Sequence, residues 1–246
     1  MKYELRGSHL LDREKFDERI EYAEKYLFSL GVDDAAEEVG RANAILFLAK
    51  IHYIQERLGY ERHAMVIGAP DFTFQTSRQK FRDIVPEGAK IIWGDGKYEF
   101  IPGEIDVDFC GMLVGVVEGD PDIEEVLDRL YEVKEDDHYI GNMKIRLENF
   151  SLGSHFLNIY RVDDHKALNL PEKVAVLHTS LDEARDPLRD FVQTTAEKMW
   201  TPFGLSYVLQ GSDAREYRRR CKDASEFARV KRELLFKKIF EVDIEI

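Results

Sequence analysis

The stretch 111-GMLVGVVEGDPDIEEVLDRLYEV-133 holds two periodicities side by side. Its first part, GMLVGVV, has the β-rich composition of a strand. Its second part sets apolar residues at helical spacing between acids. Asp120 suits an N-cap and Pro121 the first helical position. The acids that follow lie where the helix dipole favours negative charge. A strand running directly into a helix makes this a mixed chain, and the flanks extend the pattern.

Toward the N-terminus, 64-AMVIG, 89-AKIIW and 97-KYEFI read as further strands, with 94-GDG as a hairpin turn between the last two. Before them, residues 12–30 place Phe16, Ile20, Ala23 and Leu27 on one helical stripe that Gly31 can end. Asp33 or Asp34 can cap a second helix reaching about Leu58, in which Gly40 is a mild weakness. Toward the C-terminus, strands are expected around 143–149, 154–162 and 173–179. A helix near 183–200 follows, then a break at 201-TPFG and a final helix from about Ser212 to Phe240. Tyr217, Cys221, Ala224, Ala228, Leu235 and Ile239 share one face of that last helix. The expected fold is α+β, with central mixed β-sheets flanked by helices. Residues 1–60 form an N-terminal helical extension, and 61–246 the core of one compact unit.

The composition is that of a globular protein with a proper core, 44% hydrophobic and 34% charged over 246 residues. No long apolar run suits a membrane span, and MKYELRGSHLLDREKFDERIEY is charged where a secretory leader is apolar. Two cysteines make no disulfide framework, so a cytoplasmic location is expected. A net charge of −13 argues against a protein that grips nucleic acid over its whole surface. Residues 213–238, however, carry ten Lys/Arg against five Asp/Glu, a local +5 that leaves −18 elsewhere. Arg218, Arg219, Arg220 and Lys222 in that segment are candidates for a phosphate backbone, and a solvated helix face is the plainer reading. The apolar helix 33–59 permits a homo-oligomer interface, and a buried intramolecular helix is the plainer reading.

The candidate chemistry sits in three short segments. In 106-DVDFCGM-112, Asp108 and Cys110 lie two apart and on a strand would face the same side. Carboxylate and thiolate together suit a divalent transition metal such as Zn²⁺ or Mn²⁺. His155 stands in 151-SLGSHFLNIY-160, and His178 ends the apolar run of 173-KVAVLHTS-180. Asp108, Cys110, His155 and His178 would make a four-ligand set assembled only by folding. Taken singly, a buried free Cys is usually a small hydrophobe and a strand-end His usually polar surface.

The order of these segments is similar to that of the RtcB-type RNA-splicing ligases. 107-VDFCGM-112 resembles that family's V-D-x-x-C-G-M, 152-LGSHFLNI-159 its L-G-x-G-N-H-F-x-E-I, and 176-VLHTS-180 its strand ending in H-S/T-G-S-R-G. The stretch 207-YVLQGSDAREYRRRCKDASEFARVKR-232 resembles the family's glycine, tyrosine and F-A-x-x-N-R ending. The resemblance spans roughly residues 105–240. It implies an RtcB-like core and a relation to tRNA-splicing RNA ligases. It also implies a Mn²⁺ held by Asp108, Cys110 and His155, with Cys110 and His178 contributing to a second. Family members join RNA ends bearing a 2′,3′-cyclic or 3′-phosphate to a 5′-hydroxyl, using GTP and a guanylylated histidine.

This sequence departs from the pattern in ways that bear on mechanism. D-F-C is one residue shorter than D-x-x-C. L-G-S-H-F lacks the G-N pair, with Asn158 where the family has glutamate. HTSLDEARD lacks the Gly-Ser-Arg-Gly that meets phosphate, although Arg185 is close by. No histidine follows the final helix, and His9, His52, His63, His138 and His165 lie in no matching motif. GTP-dependent ligation through a covalent histidine is therefore not expected. What is expected is a divergent metalloprotein that acts on RNA ends or phosphate esters, or one that binds RNA or a partner without catalysis.

Overall fold

The structure, a computed structural model, describes residues 13–29, 34–73, 85–94, 99–103, 109–150, 155–163 and 165–241. The chain forms two compact units. One is built from residues 1–106 and 191–216, the other from 107–190 and 217–246.

The first unit contains α1 (Arg13–Glu24), β1 (Leu27–Ser29), α2 (Ala35–Arg57), β2 (Met65–Thr73), β3 (Glu87–Ile92) and β4 (Phe100–Pro102). The strands β1 and β3 flank β2, the first parallel and the second antiparallel, so this sheet is mixed. Asp34 caps α2, its side chain accepting from the Glu37 N–H at 2.8 Å. Phe47, Leu48, Ile51 and Ile54 of α2 are fully buried against Val66, Phe72 and Phe100. Gly40 has a packing reason to be glycine, since a Cβ there would stand 2.9 Å from the Thr73 backbone. The helices and strands of this unit thus share one core.

Three expectations change here. The first helix ends at Glu24, because Leu27 and Phe28 join a sheet beside Val66 and Ile67. The pair 89–93 and 97–101 is no hairpin: β3 pairs with β2, and β4 pairs with a strand from far along the chain. The helix expected over 183–200 stops at Thr195 and gives way to a hairpin, β10 (Glu197–Thr201) and β11 (Gly204–Gln210). Thr201 closes its turn by donating from Oγ1 to the Gly204 carbonyl at 2.7 Å while accepting from the Phe203 N–H at 3.1 Å.

The second unit contains β5 (Gly111–Val116), α3 (Ile123–Glu135), the hairpin β6 (His138–Ile140) and β7 (Met143–Ile145), β8 (Phe156–Arg161), α4 (His165–Leu168) and β9 (Lys173–Thr179). The N-cap of α3 is Asp122 rather than Asp120. Its carboxylate accepts from the Glu124 N–H at 3.0 Å, so Pro121 lies outside the helix. An antiparallel sheet in the order β5-β9-β8 is the frame. The chain passes between the units within α5 (Arg185–Thr195) and α6 (Gly211–Phe240). Ala228, Leu235, Phe236 and Ile239 of α6 are buried. A Cβ on Gly115 would overlap the Phe236 ring, and one on Gly111 would lie 2.8 Å from the Arg232 guanidinium. These glycines let the helix lie directly on β5. The other side of that strand is open, with Met112 64% exposed and Val114 62%.

The protein is thus α+β among the described residues, with small sheets and six helices. None of those helices is long and apolar enough to cross a membrane.

Candidate functional site

The sheet register gathers the candidate residues at one end of the second unit. His178 in β9 pairs with Met112 on one side and with Phe156 on the other. Cys110 enters β5 two residues before Met112, and His155 immediately precedes Phe156. Phe109, buried and with φ 53°, turns the chain just before the thiol, a conformation uncommon for a bulky residue. Cys110 itself is exposed.

The imidazole of His155 lies between two partners. Its Nδ1 stands 3.0 Å from the Asn149 carbonyl oxygen and its Nε2 3.8 Å from Cys110 Sγ. A carbonyl can only accept, so Nδ1 carries the proton and donates it. The Nε2 lone pair then faces the sulfur, the tautomer in which imidazole binds a metal or takes a proton. Sulfur and nitrogen donors at about 2.3 and 2.0 Å from a tetrahedral metal lie about 3.5 Å apart. The Cys110–His155 separation is close to that span, so these two residues fit a shared cation.

His178 adjoins them. Its ring meets His155 at 5.6 Å between centroids and Phe156 at 5.4 Å, both edge-on. Burial, then the neighbouring His155 and the Arg232 charge, hold its pKa below the usual histidine value. At neutral pH it is an uncharged imidazole, the form that ligates. Asp108 lies outside the described residues. Among those described, no three His, Cys, Asp or Glu side chains meet as a ligand set. Cys110 and His155 are brought together, and His178 stands beside them.

Polar groups behind the site hold it in place. Arg232 of α6 donates through Nη1 to the carbonyls of Phe109 at 3.4 Å and Thr179 at 3.3 Å, the residues next to Cys110 and His178. Burial lowers its pKa while the Cys110 side chain opposes that shift. Asn149, fully buried, turns its carbonyl to His155 and its amide to the Ser180 carbonyl, Ser180 Oγ and Asp182 Oδ2 at 2.9–3.3 Å. Ser180 donates to Asp182 at 2.6 Å, and the buried Lys231 Nζ to the Ser180 carbonyl at 2.7 Å. Burial alone would raise the Asp182 pKa. The Ser180 and Asn149 hydrogen bonds, with the charges of Lys231 and Arg185, hold it below the usual carboxylate range instead. The orientation of His155 is therefore tied through Asn149 to an ionised, buried network.

The phosphate candidates lie in different settings. Arg185 pairs with Asp182 at 3.3 Å and so belongs to that network. Arg218, Arg219 and Lys222 are exposed on α6, Arg220 is half-buried, and Arg219 is paired with Asp223 at 2.7 Å. Sequence reasoning did not single out Asn149, Asp182, Lys231 or Arg232. For Arg232 a signal was present, the closing arginine of 227-FARVKR-232. Compared with protein-family models, curated proteins and solved structures, the chain finds no match.

Proposed function

We propose that the second unit holds a divalent transition metal, Mn²⁺ or Zn²⁺, on Cys110, His155 and His178, with Asp108 as a further ligand. On this reading the protein is a divergent relative of the RtcB-type ligases with an RtcB-like core, and it acts on phosphate-bearing RNA ends. The observation that carries the proposal is the single imidazole with Nδ1 tied to the Asn149 carbonyl and Nε2 facing the Cys110 sulfur. Thiolate and neutral imidazole donors suit a borderline-soft cation. A bound metal supplies Lewis-acid polarisation of a phosphoryl oxygen and acidifies bound water. Asn149 fixes the ligating tautomer of His155, and Arg232 braces the backbone beside Cys110 and His178. GTP is not part of the proposal, because no histidine outside the ligand set lies in a matching motif. The basic residues Arg185, Arg218, Arg219, Arg220 and Lys222 are offered as RNA phosphate contacts.

Metal analysis of protein purified without chelator is the test. Wild type should carry close to one equivalent of Mn, Zn, Fe or Co, and Cys110→Ala and His155→Ala less than about a tenth, since each removes a ligand. Loaded wild type should then process an RNA ending in a 2′,3′-cyclic phosphate. Metal-free wild type, or full metal in Cys110→Ala, would refute the proposed site. Metal bound without any action on RNA ends would leave a binding protein instead.

A further inference from the structure

The first unit carries a second feature with the character of a ligand site, far from Cys110 in sequence. A cavity of about 540 Å³ is lined by Lys15, Glu18, Arg19 and Tyr22 of α1, Glu56 of α2 and Arg62 in the connection to β2. That volume falls within the range of small-molecule and nucleotide sites. Its lining carries three cations and two carboxylates, a net +1 in a chain of net −13.

The cations are not equivalent. Arg19 is committed, bonded to Glu56 at 2.7 Å and lying over the Tyr53 ring at 5.0 Å. The Arg19 hydrogen bond holds the Glu56 carboxyl below its usual pKa, so that pair is ionised and satisfied. Arg62 differs. Its guanidinium lies 4.2 Å from the Tyr22 ring centroid, and among the described residues it has no ion pair. The ring beneath it is fixed twice, by a hydrogen bond from the Tyr22 hydroxyl to the Arg62 carbonyl and by another shared with Tyr26, both 2.8 Å. Burial, then the Tyr26 hydrogen bond, push the Tyr22 pKa up to about 12, so the platform stays neutral. A guanidinium held over an aromatic ring loses little freedom when its fork closes on an oxyanion.

We infer that this cavity binds one phosphodiester-linked nucleotide of a single-stranded nucleic acid, with Arg62 gripping the phosphate. A lining of net +1 matches a monoanion, and the carboxylates of Glu18 and Glu56 in that lining disfavour a dianionic phosphomonoester. A phosphodiester is the monoanion whose attached sugar and base would also fill such a volume, where a lone carboxylate would leave most of it empty. Stacked arginine and tyrosine are the groups that hold unpaired bases and their backbone without sequence preference. The inference stands on the first unit alone and needs no metal.

The test is calorimetric titration of the full-length protein with an oligouridine tetramer and, separately, with acetate. Wild type should bind the tetramer saturably, in the millimolar range or tighter, and acetate not measurably. Arg62→Ala should weaken tetramer binding about tenfold or more. Arg62→Lys keeps the charge without the fork and should lose about threefold or more, a change that no loss of folding would explain. Chelator-treated wild type should bind the tetramer as untreated wild type does, which separates this site from the proposed metal. No saturable binding would overturn the inference, as would binding indifferent to Arg62→Ala or acetate bound as well as the tetramer.

Discussion

Two glycines in one strand separate packing from positioning. A methyl group added at Gly115 would overlap the Phe236 ring, which is 1% exposed and enclosed by α6 and the sheet. It cannot retreat without moving the helix, so Gly115→Ala should cost about 3 kcal/mol, the upper part of the range for overpacking a core. At Gly111 the same methyl would meet the guanidinium of Arg232 at 2.8–3.0 Å, the far end of a flexible side chain. The guanidinium can swing away, losing only two long hydrogen bonds, at 3.3 and 3.4 Å. Each is worth at most about 1 kcal/mol, and the lower entropy of an unfolded alanine offsets part of that. Gly111→Ala should therefore cost no more than about 1.6 kcal/mol. It should nevertheless lower metal affinity about tenfold, because groups that orient ligands typically contribute that much. Urea unfolding at constant m-value measures the first quantity and competitive metal titration the second. Wild-type stability in Gly115→Ala would contradict the seating of α6 on β5. Unchanged metal affinity in Gly111→Ala would show that Arg232 has no hold on Cys110.

Three further outcomes follow from the same structure. Burial lowers the His52 pKa from 6.5 to about 4. The unfolded chain protonates this group first, so its contribution to stability is complete above pH 6.5 and is lost as pH falls toward 4. That difference of about 2.5 units amounts to on the order of 3 kcal/mol. Urea midpoints at about pH 7 and pH 4 should fall further apart for wild type than for His52→Phe, and equal gaps would refute it. Lys231→Ala removes a fully buried ammonium near Asp182 and Glu183 and should destabilise by about 3 kcal/mol. A loss below about 1 kcal/mol, read by urea unfolding, would mean that the network does not need its cation. RNA binding through Arg218, Arg219, Arg220 and Lys222 should weaken steeply with added salt. A flat salt dependence would return that stretch of α6 to plain solvated surface.

What could be read in advance divides along a physical line. β9 and α6 are legible because periodicity and composition act within one element: 173-KVAVLHT-179 is a strand with Ala175, Leu177 and Thr179 buried, and the stripe from Tyr217 to Ile239 is a helix face. The β10–β11 hairpin was not legible, because 185-RDPLRDFVQTTAEKMW-200 keeps plausible helical spacing past the true end at Thr195. The pairing of β4 with β11 brings Phe100 opposite Gln210, and no local pattern announces a partner so distant. The site divides similarly. Cys110, His155 and His178 are singled out by the order of their segments more than by local pattern, each being weak evidence in its own stretch. Asn149, Ser180, Asp182 and Lys231 are ordinary polar residues in sequence, and only burial joins them into one network.

The central claim is that sulfur and imidazole share one cation. X-ray absorption at the metal edge of wild-type protein reconstituted with Zn²⁺ tests it most directly. The predicted spectrum has one sulfur scatterer at about 2.3 Å together with imidazole nitrogens at about 2.0 Å. The sulfur contribution should vanish in Cys110→Ala. A shell of oxygen and nitrogen alone in wild type, or no bound zinc at all, would contradict it.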